Sequence, residues 1–306
     1  MAAAALGPLR GAAEVGVWHD GQTRFGAARN RVAESPIQAL FEVGSISKVF
    51  TGLLLAQAVE RGDMALDDTL GGLLNGSPAL APALPAPVAA ITLRQLVTHT
   101  SCLPRLPADF RRNSDAANPY MRYDRTRLWQ ALADARLAQS PPCAGAYSNL
   151  GFAVLGELLA QRYGKPWVVL VHERITDPLG MQDTVQSLGD KAPRLAAPHE
   201  GETRVSVWEF DAFAGAGALR STTADMLVLS RALQTSGAVD ALTRAVLPAR
   251  TGPTLAIAAP NAGSAAAMKS RLTRNSSAVL TMSACPALDF AVAVGQSGGD
   301  KSKRNG

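Results

Sequence analysis

The sequence predicts an α/β fold of the α+β type, with an antiparallel sheet flanked by helices and a helical subdomain. Two observations support this prediction: strand-like runs at both ends of the chain and helical periodicity between them. Runs at 13–18 and 23–27 flank Asp20-Gly21, the pattern of a hairpin. Further strand-like runs cover 278–282 and 290–294. Strands from the two ends can pair in one sheet, which leaves the helices between them as a separate layer.

The middle section contains apolar residues at helical intervals. The clearest helix is predicted from 45 to about 61, where Gly62 stands at a C-cap position. A second begins at Thr92, whose hydroxyl can cap it. Further helices are expected over 126–137, 149–162 and 222–234.

A connector rich in Pro, Ala and Gly covers roughly 71–89, and its prolines predict irregular structure there. These prolines are Pro78, Pro82, Pro85 and Pro87. The organisation expected is one domain over 1–306, with a sheet region at about 1–44 and 245–306. The helical region covers about 45–240.

Composition excludes several classes of protein. Of the 306 residues, 47% are hydrophobic, which is enough to fill a core, and 18% are charged. No apolar run approaches the length of a transmembrane helix. The net charge is +5, but Lys301, Lys303 and Arg304 crowd the last six residues. Because no basic stripe is interleaved with aromatic residues, nucleic acid is not expected as a partner.

Cysteine and histidine usage gives no support to metal or redox chemistry. Cys102, Cys143 and Cys285 are odd in number and far apart, with neither zinc-site spacing nor a disulfide framework. The sequence leaves open whether two of these cysteines form one disulfide. The four histidines stand singly, so neither a metal nor a cofactor is expected.

The first residues do not match an export signal as written. The stretch 1–6 is apolar, but no basic residue precedes it and no long hydrophobic run follows. The compartment is therefore periplasmic or secreted if an export segment was removed, and cytoplasmic otherwise.

The strongest chemical signal is the segment 41–48, Phe-Glu-Val-Gly-Ser-Ile-Ser-Lys. At a helix start, Ser45 and Lys48 are three residues apart and share one face, so the amine can approach the hydroxyl. The helix N-terminus and the apolar neighbours lower the lysine pKa, and a neutral lysine can take the serine proton. The backbone N–H of Ser45 can donate to an oxyanion. The structural alternative is an N-capping serine followed by a solvated lysine.

The residues around this pair carry a family resemblance. The stretch 41–67 resembles the nucleophile helix of serine β-lactamases and penicillin-recognising hydrolases, nearest to class C β-lactamases and their esterase and D-aminopeptidase relatives. The stretch 91–101 resembles the family segment ITLRHLLTHTSG, with Cys102 in place of the usual glycine. His99 is expected to be structural. The resemblance implies a β-lactamase/transpeptidase-like fold.

The sequence Tyr147-Ser148-Asn149 resembles the second family motif, Y-x-N. A phenol that points at a lysine is stabilised as the anion, so Tyr147 is predicted as a general base or as a relay of the proton to the leaving group. Asn149 is predicted to hold Lys48 and the substrate amide by hydrogen bonds.

The third family motif, K-T-G or H-x-G, has no clean copy. Its best-placed candidate is Gln296, followed by Gly298 and Gly299, which are expected to line the oxyanion side of the site; the other candidate is Arg250. Glutamine carries no positive charge with which to bind a substrate carboxylate. Gln296 in the third motif therefore favours an esterase. After Gln296 too little chain remains for the family's closing strands and helix, so the C-terminus is truncated or altered, or 254–282 supplies those strands.

The resemblance implies a serine hydrolase that forms an acyl-enzyme on Ser45, with Lys48 and Tyr147 handling protons. The substrate is a small molecule, open between a β-lactam, an ester and a D-amino-acid peptide. The alternative is a binding or scaffolding protein that keeps the fold with an incomplete third motif. The sequence does not predict an oligomeric state.

Overall fold

Both ends of the chain contribute to one sheet. The computed structural model describes residues 11–19, 21–30, 39–75, 83–112, 114–200, 203–235, 278–283 and 292–294. The strands are β1 (Gly11–His19), β2 (Gln22–Asn30), β3 (Phe41–Glu42), β4 (His199–Glu200), β5 (Thr203–Arg204), β6 (Arg220–Ser221), β7 (Ala278–Ser283) and β8 (Val292–Val294).

The main sheet is antiparallel, with strand order β2-β1-β7-β8. In the predicted hairpin, His19 pairs with Gln22, and Gly21 has a φ of 77°, a conformation that glycine favours. Strand β1 also pairs with β7, from Ala13 opposite Ser283 to Trp18 opposite Ala278. The prediction that the first and last strands share a sheet is therefore confirmed. The other described strands form two small ladders, β3-β6 and β4-β5.

The described helices lie between the hairpin and residue 235. A short 3₁₀ turn at Gly44–Ile46 precedes the first, another covers Gly189–Arg194, and a π-helical turn covers His172–Thr176. The α-helices are α1 (Ser47–Glu60), α2 (Leu70–Leu74), α3 (Ala86–Ala89), α4 (Leu93–Val97), α5 (Arg125–Asp134), α6 (Asn149–Tyr163), α7 (Trp167–Val171), α8 (Asp177–Leu179), α9 (Ala214–Gly217) and α10 (Thr223–Thr235).

Helix α1 is the centre of the helical layer. Its buried side chains lie on every face, including Phe50, Leu53, Leu54 and Ala58. A helix that is apolar all round must be covered all round, and α1 packs against α6, α7 and α9. The start of α1 is therefore fixed in the core of the protein.

Helix α10 joins this layer to the sheet. It packs on β1 and β7, and a Cβ atom at Gly16 would lie 3.0 Å from Thr223 Cγ2 and 3.4 Å from Leu227 Cδ2. The buried Glu14 accepts a hydrogen bond from the backbone N–H of Ala39 at 3.0 Å and another from the Thr223 hydroxyl at 3.3 Å. The glycine permits close approach of the helix, and the carboxylate ties the sheet to the segment before α1.

The prediction of irregular structure over 71–89 is wrong at both ends of that connector, where helices lie. Helix α2 ends inside it and α3 lies at its end, with Pro87 in the first turn and Pro85 at the N-cap. Proline is tolerated in the first turn because the N–H that it lacks has no partner within the helix. Pro78 and Pro82 lie outside the described residues.

The other helix predictions are confirmed with small shifts of their ends. Thr92 caps α4 through a capping box: its hydroxyl accepts from Gln95 N, and the Gln95 side chain accepts from Thr92 N. Helix α6 begins at the predicted residue, with the Ser148 hydroxyl as its cap. Among the described elements, the helices α2, α3, α7, α8 and α9 and the strands β3 to β6 were not predicted.

Candidate active site

Ser45 lies at the exposed end of the buried central helix. It belongs to the 3₁₀ turn Gly44–Ile46, and Gly44 has a φ of 50°, which favours glycine at the sharp entry to α1. The Ser45 side chain is exposed, whereas Ser47 and Lys48 are buried. Neither the turn nor α1 begins with a side-chain cap hydrogen bond. The alternative of an N-capping serine with a solvated lysine is therefore wrong.

Lys48 is only 7% exposed and lies directly beneath Ser45. Its Nζ donates to Ser45 Oγ at 3.2 Å and to the backbone carbonyl of Ala216 at 2.6 Å. The rings of Tyr147 and Phe152 lie 4.9 and 5.7 Å from the same nitrogen. The amine is thus enclosed by two aromatic rings, one carbonyl oxygen and the hydroxyl that it must activate.

These surroundings change the protonation of the lysine. Burial lowers the pKa of Lys48 from 10.5 to about 7, and the positive charge of Arg105 adds to the effect. An appreciable fraction of the amine is therefore neutral near pH 7. A neutral amine at hydrogen-bond distance from a hydroxyl can act as its general base.

Two glycines bring the Ala216 carbonyl to Lys48. A Cβ atom at Gly215 would lie 2.9 Å from Phe152 O and 3.0 Å from the Gly156 Cα atom, so α6 and α9 can touch only because both positions lack side chains. The Thr51 hydroxyl in α1 donates to Gly215 O at 2.7 Å. The close contact of α6 and α9 therefore fixes the carbonyl oxygen that accepts from Lys48.

Tyr147 completes a contiguous set of three groups. Its Oη lies 2.5 Å from Ser45 Oγ, and either oxygen can be the donor. Burial raises the pKa of Tyr147, while the Ser45 hydrogen bond and the charge of Arg105 oppose that rise. The expectation of a phenol stabilised as its anion is therefore wrong: Tyr147 is a protonated phenol near neutral pH, and Lys48 is the basic member of the set.

The segment that carries Tyr147 is attached to the loop around His99. The His99 ring lies 4.6 Å from the Tyr147 ring, centroid to centroid, and its Nδ1 accepts from Ser148 N at 3.1 Å. Ala146 N donates to His99 O at 2.8 Å. Burial and the charge of Lys48 lower the pKa of His99 to about 4, so the ring is neutral. These contacts agree with the structural role predicted for His99.

A disulfide between Cys102 and Cys143 joins the same two segments, and Cys143 N also donates to Thr100 O at 2.9 Å. The sequence left one disulfide open without assigning its partners. Cys102 has a φ of 60°, in the left-handed region that favours the glycine usual at this place in the family segment. The bridge therefore lies between the His99 loop and the Tyr147 loop.

Asn149 is the first residue of α6 but does not make the predicted contact with Lys48. Its Nδ2 donates to Tyr120 Oη at 3.3 Å, and its backbone N–H donates to Arg105 O at 3.0 Å. Its Oδ1 is buried and has no hydrogen-bond partner within the described part of the chain. An unpaired buried acceptor is costly, so this oxygen is suited to accept from a ligand N–H.

The third-motif candidates cannot be placed. Gln296, Gly298, Gly299 and Arg250 lie outside the described residues. Their assignment to the oxyanion side of the site stays a prediction.

Sequence reasoning missed Arg105. This exposed residue lies beside the site, with its guanidinium carbon 5.6 Å from the centroid of the Tyr147 ring. The available signal was its place in the chain, because Arg105 follows closely after the family-like stretch 91–101.

Within the described residues, no group of three His, Cys, Asp or Glu side chains is arranged to hold a metal ion. The same part of the chain has no helix with the length and apolar character needed to cross a membrane.

The fold and the site define a class of protein. An antiparallel sheet with a helical layer, and a Ser-x-x-Lys pair in contact with a tyrosine, are the architecture of penicillin-recognising serine hydrolases. A family model described as Beta-lactamase matches residues 5–300, and the chain belongs to this family.

Named relatives include peptidases, β-lactamases and an esterase. The chain is 32% identical over 212 residues to the D-alanyl-D-alanine-carboxypeptidase/endopeptidase AmpH of Escherichia coli K12, which covers 68% of this chain and 51% of that protein. It is 28% identical over 188 residues to the esterase EstB of Burkholderia gladioli, covering 56% and 45%. The chain thus spans about half the length of these curated relatives.

A solved class C β-lactamase from Rhodobacter sphaeroides superposes with a TM-score of 0.61 at 28% identity. The match covers 80% of this chain and 68% of that structure.

Proposed function

We propose that this protein is a serine hydrolase that forms an acyl-enzyme on Ser45. The observation that carries the proposal is the pair of contacts at Ser45 Oγ, 2.5 Å from Tyr147 Oη and 3.2 Å from Lys48 Nζ. A hydroxyl in contact with both a partly neutral amine and a protonated phenol has a base for its own proton and an acid for a leaving group.

Acylation follows from these contacts. Neutral Lys48 takes the Ser45 proton as Oγ attacks the substrate carbonyl, and a tetrahedral oxyanion forms. Collapse of this intermediate breaks the bond to the leaving group, which takes its proton from the Tyr147 hydroxyl. The phenolate left behind recovers a proton from the Lys48 ammonium, so the serine proton ends on the leaving group. The N–H of Ser45 and one N–H near Gly298 or Gly299 hold the oxyanion.

Water then attacks the acyl-enzyme carbonyl, and Lys48 takes a proton from this water. When the ester bond breaks, Ser45 Oγ recovers a proton from Lys48, and the acyl group leaves as a carboxylic acid. The buried Oδ1 of Asn149 accepts an N–H from amide-bearing substrates, which satisfies the acceptor left unpaired in the described residues. No step requires a cofactor.

The substrate class is an acyl compound: a β-lactam, an ester or a D-amino-acid peptide. Relatives named as a carboxypeptidase/endopeptidase, a β-lactamase and an esterase support all three. Hydrolysis of nitrocefin, p-nitrophenyl butyrate and a peptide ending in D-Ala-D-Ala should therefore be measured side by side.

The decisive variant is Ser45→Ala, with Ser114→Ala as the matched control because it removes a hydroxyl from a different surface cavity. We expect Ser45→Ala to lose hydrolysis of every substrate that the unaltered protein accepts and Ser114→Ala to keep it. Retained hydrolysis in Ser45→Ala would refute the proposal. Covalent labelling of Ser45 without turnover would instead indicate a binding protein.

A further inference from the structure

Arg105 is held in place by its backbone at the edge of the site. Its carbonyl oxygen accepts from the N–H groups of Asn149 and Leu150 at 3.0 and 3.2 Å. These are the first two residues of α6 and directly follow the Tyr147 segment. The main chain of Arg105 is therefore fixed relative to Tyr147, and its guanidinium carbon lies 5.6 Å from the centre of that ring.

The charge of Arg105 has no acidic partner among the residues that the structure describes. Within the described part of the chain the guanidinium forms no ion pair and no side-chain hydrogen bond, although the side chain is exposed. Some other arginines near the surface of the described residues are paired with carboxylates, as Arg94 is with Asp67 and Arg194 with Asp183. An exposed guanidinium keeps five N–H donors available for an incoming group.

The same charge acts on the reacting groups. It contributes to the lowered pKa of Lys48, and it opposes the rise in the pKa of Tyr147 and of Tyr120. A cation that is felt at three side chains around Ser45 must lie close to where a substrate binds. A guanidinium is also the group best suited to hold a carboxylate through two parallel hydrogen bonds.

The position of Arg105 beside Tyr147 indicates which part of the substrate it contacts. In the proposed mechanism Tyr147 protonates the leaving group, so a group next to Tyr147 meets the leaving-group portion of the substrate. At the predicted third motif Gln296 provides no cation. Among the described residues, Arg105 supplies a positive charge next to Tyr147.

We propose that Arg105 is the specificity-determining residue of the site and that it binds a carboxylate on the leaving group of the acyl substrate. The preferred substrates are then esters or amides whose leaving group is an anion-bearing alcohol, phenol or amino acid. This inference rests on the proposed function, and it reverses the preference for neutral esters that the glutamine in the third motif suggested.

The test compares two substrates that differ in one charge: 3-carboxyphenyl butyrate and its neutral analogue 3-methoxycarbonylphenyl butyrate. Both deliver the same acyl group to Ser45, so Lys48 acts equally on both. The ratio of their kcat/KM values therefore isolates carboxylate recognition. We expect Arg105→Ala to lower the ratio of anionic to neutral substrate by roughly 10- to 100-fold, and Arg105→Lys to restore part of the loss.

The matched control is Arg61→Ala, which removes an exposed positive charge directly after the far end of α1, about 24 Å from Ser45 along the helix. The Arg61→Ala ratio should equal that of the unaltered protein. An unchanged ratio in Arg105→Ala, or an equal change in Arg61→Ala, would overturn the assignment.

A binding measurement separates failure of this inference from failure of the proposed function. Calorimetry with Ser45→Ala and with the double variant Ser45→Ala/Arg105→Ala needs no turnover. We expect the first protein to bind the anionic ester more tightly than the neutral one and the double variant to bind both alike. If the unaltered protein hydrolyses neither of these esters, nor nitrocefin, p-nitrophenyl butyrate or the D-Ala-D-Ala peptide, the proposed function fails, and the two binding constants still decide the role of Arg105.

Discussion

Ser45 and Lys48 lie at the start of a helix that is buried on every side, whereas Tyr147 lies in a loop. The helix is positioned by apolar packing around residues such as Phe50 and Leu54. The loop is positioned by the His99 ring, by backbone hydrogen bonds and by the disulfide from Cys102 to Cys143. The proposed base is thus held by the core of the protein, and the proposed proton donor by a small number of specific links.

This difference predicts which substitutions abolish catalysis and which only disturb the geometry of the site. The largest effect is expected for Lys48→Met, which replaces the amine by an apolar side chain of similar length. Loss of the general base should lower acylation at pH 7 by about 10³-fold or more. Single-turnover kinetics would measure it, and a decrease below tenfold would contradict the role of Lys48.

The same variant tests the pKa of the lysine through stability. Since the pKa of Lys48 is about 7 in the folded protein and 10.5 ordinarily, the unfolded chain binds more protons between these values. The stability of the unaltered protein therefore gains from rising pH across this window. Compared with the unaltered protein, Lys48→Met should therefore have its largest gain in stability below pH 7. This gain should be lost by about pH 10.5. Chemical denaturation of both proteins at several pH values would measure the difference, and a pH-independent difference would contradict the lowered pKa.

The contribution of the Tyr147 loop is tested first by Tyr147→Phe. This variant removes the Oη atom 2.5 Å from Ser45 Oγ and keeps the ring that contacts His99. Loss of the proton donor should lower the acylation rate by about 10²-fold. The defect should be smaller for a substrate whose leaving group needs no proton, such as p-nitrophenolate. Equal defects for an amide and a p-nitrophenyl ester would argue against proton donation by Tyr147.

A smaller effect is expected when the support of Lys48 is disturbed. In Gly215→Ala the new Cβ would lie 2.9 Å from Phe152 O, a contact with backbone that only a shift of α9 can relieve. This shift moves the Ala216 carbonyl away from Lys48, and we expect about tenfold slower acylation together with about 1–3 kcal/mol lower stability. Gly26→Ala is the control, because a Cβ atom there meets nothing within 4 Å. Acylation rates and melting temperatures should be measured for both variants. Equal values for Gly215→Ala and Gly26→Ala would contradict this role of the close packing.

The smallest effect on rate is expected for Cys102→Ser/Cys143→Ser. The disulfide closes a loop with a sequence separation of 41, so the unfolded chain gains freedom and stability falls by about 4 kcal/mol in a chain-entropy account. Acylation should slow only a few-fold, because the contacts of His99 with Ser148 and Tyr147 remain. Cys285→Ser is the control. A rate loss as large as that of Tyr147→Phe would show that the bridge alone holds the loop.

The sequence predicted those parts of the site that depend on local order. Spacing along a helix placed Ser45 and Lys48 on one face, and apolar periodicity predicted the helix that begins at Asn149. The pairing of first and last strands followed from where the strand-like runs lie.

Features that depend on distant segments were not predictable from the sequence. Lys48 meets Ala216 across 168 positions, and only the close packing of α6 and α9 at their glycines brings these residues together. The partner of Cys102 and the protonated state of Tyr147 depend on tertiary contacts and burial in the same way. The bounds of the single domain and the third motif stay predictions.

Reaction with an alkyl fluorophosphonate, which modifies activated serines regardless of substrate preference, tests the activated serine most directly. The rate of modification and the modified residue should be determined by mass spectrometry between pH 5.5 and 9. We expect modification of Ser45, with a rate that rises with pH and levels off above an apparent pKa near 7. Modification of a different residue, or a rate at Ser45 that does not change with pH, would contradict activation of this hydroxyl by a buried, neutral lysine.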